Sequence, residues 1–133
     1  ASSGGFDVWE GSGRELMLGS EVVAGVSGTV SVEAMLLRRF MVVIYNMRRL
    51  NYAILKRLVH VKNISIPNML TDRQIYPELL CDDATPERIV SELERYLNDE
   101  TVRHETDKAL QEARLLMGEY DAFKFWAECV INP

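Results

Sequence analysis

Through the first half of the chain, short apolar runs alternate with stretches of helical periodicity. Phe6–Glu10 (FDVWE) predicts a short strand and Arg14–Leu18 a short helix. Val22–Val26 (VVAGV) reads as a buried strand, and Thr29–Arg38 as a helix with Val32, Met35 and Leu36 on one face. Phe40–Tyr45 (FMVVIY) is the clearest strand signal, a continuous apolar run with β-branched residues at its centre. Leu50–Val59 predicts a helix that turns Ile54, Leu55, Leu58 and Val59 inward. Ile64–Ile66 predicts a brief strand stopped by Pro67. Strands alternating with helices imply βαβ units, and hence an α/β fold with a parallel sheet between helices.

After Pro77 the pattern turns helical. Thr85-Pro86-Glu87 supplies an N-cap hydroxyl followed by proline in the first turn, and Ile89, Leu93, Tyr96 and Leu97 recur at helical spacing. A second helix is predicted from about Glu100 to Met117, with Val102, Ala109, Ala113, Leu116 and Met117 on its apolar side and Gly118 as its stop. The last stretch, Asp121–Val130, carries Phe123, Phe125 and Trp126 and needs a surface to dock on. The expected division is an α/β domain over 1–98 and a helical tail over 99–133. The tail would pack on that domain, on a domain outside this chain, or on a second subunit.

With 133 residues, 47% of them hydrophobic and 26% charged, the chain has the balance of one globular domain. A net charge of −5 argues against a dedicated nucleic-acid binder. The charge is uneven. Residues 38–62 carry Arg38, Arg39, Arg48, Arg49, Lys56, Arg57 and Lys62 with no acid among them, whereas acids dominate from Glu78 onward. A basic segment of this kind meets phosphate or an anionic membrane surface, or is a solvated helix face. Cys81 and Cys129 fit no zinc spacing and no disulfide framework, so a reducing compartment is expected. The longest apolar run is far short of a membrane span. The opening Ala1-Ser2-Ser3-Gly4-Gly5 matches neither a signal peptide nor an initiator methionine, which fits a fragment or an engineered start alike.

Two segments carry candidate chemistry. The first, Val26-Ser27-Gly28-Thr29-Val30-Ser31-Val32-Glu33, lies where a parallel strand ends and a helix begins, and ligands of α/β sheets bind at such ends. Gly28 lets the backbone approach a ligand, Ser27 and Thr29 offer hydroxyls, and the first helical amides point at any anion placed there. Glu33, one turn after Thr29 on the same face, can accept two hydrogen bonds from a ribose diol. Alone, a Ser-Gly-Thr before a helix is more often a cap and a tight turn than a ligand site. The second segment is Ile64-Ser65-Ile66-Pro67-Asn68-Met69-Leu70. The Asn68 amide can donate and accept at once, which suits a sugar or a uracil edge, or else an Asx turn.

In order and spacing, these segments resemble the lipid-A-disaccharide synthase family. The carriers are Ser27-Gly28-Thr29 with Glu33, Met41-Val42-Val43 with Tyr45, Lys56-Arg57-Leu58-Val59, Ser65-Ile66-Pro67-Asn68, Pro77-Glu78-Leu79-Leu80 and Pro86. The resemblance covers about residues 7 to 97. Departures stand at Phe40, where the family usually has proline, at Asn46, Arg49 and Cys81, and at Asp72, where a small residue or glycine is usual.

The resemblance implies the nucleotide-binding, Rossmann-like carboxy-terminal half of a two-domain glycosyltransferase of the GT-B type. Such an enzyme joins UDP-2,3-diacylglucosamine to 2,3-diacylglucosamine 1-phosphate with inversion, without a cofactor or metal. Ser27, Gly28 and Thr29 would then cradle the diphosphate, Glu33 the ribose, and Asn68 the donor or nucleotide. No catalytic residue is assigned: His60 and His104 are expected in surface or structural roles, and this chain alone is expected to be inactive. The implied setting is peripheral, on the cytoplasmic face of the bacterial inner membrane, with a homodimer formed through the carboxy-terminal helices as one arrangement. A non-catalytic remnant of the same fold and a related UDP-N-acetylglucosamine transferase domain are the alternatives.

Overall fold

The computed structural model describes residue 5, residues 7–45 and residues 62–118. The elements run α1 (Gly13–Leu18), β1 (Val22–Val26), α2 (Thr29–Leu36), β2 (Phe40–Tyr45), α3 (Ile66–Thr71), β3 (Glu78–Leu80), a 3₁₀ turn (Cys81–Asp83), α4 (Pro86–Asn98) and α5 (Glu100–Gly118). The described strands form one parallel sheet in the order β1-β2-β3. Val22 pairs with Phe40 and Val26 with Ile44, while Glu78 to Leu80 run beside Val43 to Tyr45. This is the α/β architecture expected, with helices around an open parallel sheet and a helical carboxy-terminal part.

The central strand explains the apolar run. Phe40, Met41, Val42 and Val43 are all buried, as a strand covered on both faces requires. They form the core with Met17, Ala34, Met35, Ile75, Tyr76, Leu79, Leu110 and Ala113. Phe40 stacks on Tyr96 of α4 at 4.3 Å between ring centroids and meets Tyr76 edge-on at 6.4 Å. Burial pushes the Tyr76 phenol pKa well above its ordinary value; its hydroxyl donates to the Arg39 carbonyl at 2.8 Å.

Four sequence expectations need correction. Residues 7–10 are irregular rather than a strand. The Trp9 indole N–H donates to the Ser12 carbonyl at 3.0 Å, bending this segment into the start of α1. Helix α2 stops at Leu36, because Arg38 takes a left-handed conformation (φ 54°) that turns the chain into β2. Ile64–Ile66 is not a strand: Ser65 caps α3 and Pro67 sits in its first turn, where its missing N–H costs nothing. The stretch after Pro77 is not all helical either, since Glu78–Leu80 adds the third strand. The predicted helix over Leu50–Val59, with Asn46, Arg49, Lys56, Arg57 and His60, lies outside the described residues, as do the aromatic tail and Cys129.

Candidate functional site

At the carboxyl end of β1 the chain turns through Ser27 and Gly28 into α2. Gly28 has φ 140° and ψ −149°, a region open essentially to glycine alone. A Cβ there would meet no atom within 4 Å, so the backbone conformation, not crowding, selects glycine. The Ser31 hydroxyl folds back onto the Gly28 carbonyl at 2.7 Å and steadies the turn. Gly28, as N-cap, has no side-chain hydrogen bond to offer α2. The helix therefore begins with first-turn amides uncapped by a side chain, at the positive end of its dipole.

Ser27 is half-buried, and Gly28, Thr29 and Glu33 are exposed. Thr29 and Glu33 lie one turn apart on one face of α2. Glu33 also lines a cleft of about 220 Å³ with Arg14, Leu36, Leu37 and Arg114. The turn, the hydroxyls and the carboxylate are thus brought together along a single helix. Two wider hollows, of about 420 and 590 Å³, share no lining residue with the turn. They are bordered by surface side chains already in ion pairs, Arg73 with Glu112, Arg95 with Glu92 and Asp107 with Arg38, so size does not single them out.

Asn68 is placed differently. It is fully buried, and every hydrogen-bonding position of its amide is taken up inside the protein. Its Nδ2 donates to the Tyr76 carbonyl and to Glu78 Oε1, each at 2.8 Å. Its Oδ1 accepts from the Ile75 amide at 2.8 Å and the Tyr76 amide at 2.9 Å. Glu78 Oε1 further accepts from the Ser65 amide and the Ser65 hydroxyl, each at 2.8 Å, and Oε2 from the Ile64 amide at 2.9 Å. Ser65, Asn68 and Glu78 therefore form one network that fixes the start of α3 to the start of β3. This differs from the open donor contact expected of Asn68.

Sequence reasoning missed Glu78 as an anchor, because its partners lie 10 to 14 residues away. It also missed Arg14 and Arg114. Two cations of the basic segment prove structural. Arg39 donates to the Met17 and Leu18 carbonyls at 3.2 and 3.0 Å, closing the end of α1. Arg38 holds Asp107 of α5 through Nε at 2.8 Å and through Nη2.

Comparison with known proteins identifies a family. The family model for lipid-A-disaccharide synthetase matches residues 6–124. The lipid-A-disaccharide synthase of Acinetobacter baylyi is 43% identical over 91 residues, 68% of this chain and 23% of that protein. That of Anaeromyxobacter dehalogenans is 40% identical over 110 residues, 83% of this chain and 29% of the relative. That of Mannheimia succiniciproducens is 35% identical over 120 residues, 90% of this chain and 29% of the relative. The chain thus spans roughly a quarter of the length of the curated relatives it matches. With the family model matching residues 6–124, a span that contains the turn, α2 and the Ser65–Glu78 network, and relatives at 35–43% identity, the protein belongs to the lipid-A-disaccharide synthetase family.

Proposed function

We propose that this chain is the nucleotide-binding, carboxy-terminal part of an inverting glycosyltransferase that joins UDP-2,3-diacylglucosamine to 2,3-diacylglucosamine 1-phosphate. The observation that carries this reading is the glycine-only turn at the carboxyl end of β1, which leaves the α2 amides uncapped by a side chain and Thr29 and Glu33 exposed. In this reading the first amides of α2, with the Ser27 and Thr29 hydroxyls, hold the diphosphate of UDP. As the glycosidic bond to the leaving group breaks, negative charge grows on that diphosphate. Preformed N–H dipoles favour that charge without reorganising. Glu33 accepts hydrogen bonds from the ribose diol. Asn68 takes a positioning role, keeping α3 and β3 in register beneath the site.

The acceptor site and the general base belong, in this reading, to the remainder of the longer enzyme, so the chain by itself binds UDP without turnover. Both substrates carry acyl chains, which suits work at the cytoplasmic face of the inner membrane. Among the described residues no helix is long and apolar enough to cross a membrane. Lys56 and Arg57 would meet anionic lipid, and the carboxy-terminal helices would supply a homodimer contact.

Calorimetric titration of the chain with UDP tests the reading. Saturable binding is expected, weakened about tenfold or more by Glu33→Ala through loss of a charge-assisted contact. Absence of UDP binding by a folded chain, or binding indifferent to Glu33→Ala, would reject it in favour of a non-catalytic module of the same fold.

A further inference from the structure

The turn into α2 is poorly equipped to hold itself still. Its N-cap, Gly28, has no side chain with which to hydrogen-bond the helix. A Cβ there would meet no atom within 4 Å, so no neighbour braces the backbone where a side chain would stand. Glycine also has the most backbone freedom to lose when a turn of this kind forms. Yet the proposed function needs the amides just beyond Gly28 to point steadily at an anion.

Ser31, fully buried in the first turn of α2, supplies the hold. Its hydroxyl donates to the Gly28 carbonyl at 2.7 Å, and its backbone N–H donates to the same oxygen at 3.1 Å. That carbonyl belongs to the peptide unit that also carries the Thr29 N–H. The unit is planar and trans, so the two groups point in opposite directions. Donors that fix the carbonyl along the helix therefore fix the Thr29 N–H outward, where first-turn amides have no partner within the helix. A serine at the N-cap would steady the turn by accepting from one of those amides. The Ser31 hydroxyl donates instead, so it steadies the same turn and occupies none of them.

We propose that Ser31 is a positioning residue for the diphosphate: it never touches the ligand, and it aims the Thr29 peptide at it through the Gly28 carbonyl. The inference rests on the nucleotide-binding reading above and deepens it. Dipoles already aimed before an anion arrives need no ordering when it binds, nor when its charge grows as the leaving group departs. Without the hydroxyl the same amides remain, but the glycine peptide before them can swing, and part of the binding energy goes into fixing it. Glu33 stands one turn further on and acts on the ribose, so its contribution is separable from that of Ser31.

The test is titration of the whole chain with UDP, inorganic pyrophosphate and uridine, followed by amide NMR so that weak binding is read as well, for wild type, Ser31→Ala and Glu33→Ala. Ser31→Ala is expected to bind UDP and pyrophosphate about fivefold more weakly, the scale of one ordinary hydrogen bond, and to bind uridine as wild type does. Its urea midpoint should stay near that of wild type, because the Gly28 carbonyl keeps the backbone N–H of residue 31 and alanine favours a helix. Glu33→Ala should show the opposite pattern, weakening UDP and uridine but not pyrophosphate. A Ser31→Ala chain that keeps wild-type affinity for pyrophosphate, that weakens uridine as much as UDP, or that loses stability alone would overturn the assignment even where Glu33→Ala still weakens UDP. A folded wild type that binds no UDP would overturn the nucleotide-binding reading itself, and this assignment with it.

Discussion

At the scale of single residues, the family's small motifs divide into those that shape the site and those that hold it up. Gly28 belongs to the first group. Its φ of 140° is strained for any side chain although the space around it is open. Gly28→Ala is therefore expected to cost about 1–3 kcal/mol, read as a lower urea midpoint at unchanged slope. Glu78 belongs to the second group, because one carboxylate receives the Ser65 amide and hydroxyl, the Ile64 amide and the Asn68 amide group. Glu78→Gln turns one acceptor into a donor among these donors. The expected loss is about 2 kcal/mol in chemical denaturation, the scale of hydrogen bonds to a charged group. Two departures from the family also find places. Phe40, standing where proline is usual, stacks on Tyr96. Asp72, where a small residue or glycine is usual, sits at φ 50° as the left-handed cap of α3.

At the scale of elements, legibility followed length and neighbours. The β2 strand was readable because six consecutive apolar residues reflect burial on both faces. α4 was readable because Thr85 accepts from the Arg88 amide ahead of an amphipathic run. The three-residue β3 carries too little pattern to announce itself; its strand character comes from pairing with Val43 to Tyr45. Pro67 was misread as a strand stop because proline both ends strands and opens helices. The contacts of Ser65 and Asn68 with Glu78 decide between these, and they are not local. The candidate site was legible at Ser27, Gly28, Thr29 and Glu33, which share one strand–helix junction. It was not legible at Arg14 and Arg114, which reach the same cleft from distant elements.

The docking of α5 has its own electrostatic signature. The Arg38 hydrogen bond, more than its charge alone, holds the Asp107 carboxyl below its ordinary value of 3.8. A group with a depressed pKa contributes stability above its unfolded value and loses it as pH falls through the folded one. Acidification below about pH 4 should therefore weaken the hold of α5 on the end of α2. Both partners are partly exposed, so salt should shrink the effect. Asp107→Asn should flatten this part of the melting temperature's acid dependence at low ionic strength. An unchanged pH profile would show that the Arg38–Asp107 pair adds nothing measurable to the docking that Leu110 and Ala113 provide.

At the scale of the whole molecule, the sheet presents its site at one rim. Val26, Tyr45 and Leu80 mark the carboxyl ends of the three strands, and α2 starts just beyond the first of them. Glu78 pairs with Val43, two residues back from Tyr45, so the Asn68–Glu78 network sits below that rim rather than on it. A chain of about a quarter of its relatives' length thus holds a strand–turn–helix junction with the candidate residues on it, while the proposed chemistry would draw on groups outside the described residues.

Backbone amide shifts of the chain, followed by NMR as UDP is added, test that account most directly. Saturable changes should centre on Gly28, Thr29, Val30 and Glu33, with the amides of Ile75 and Tyr76 behind Asn68 little moved. Shifts confined to α4 and the outer face of α5, or none at saturating UDP, would contradict it.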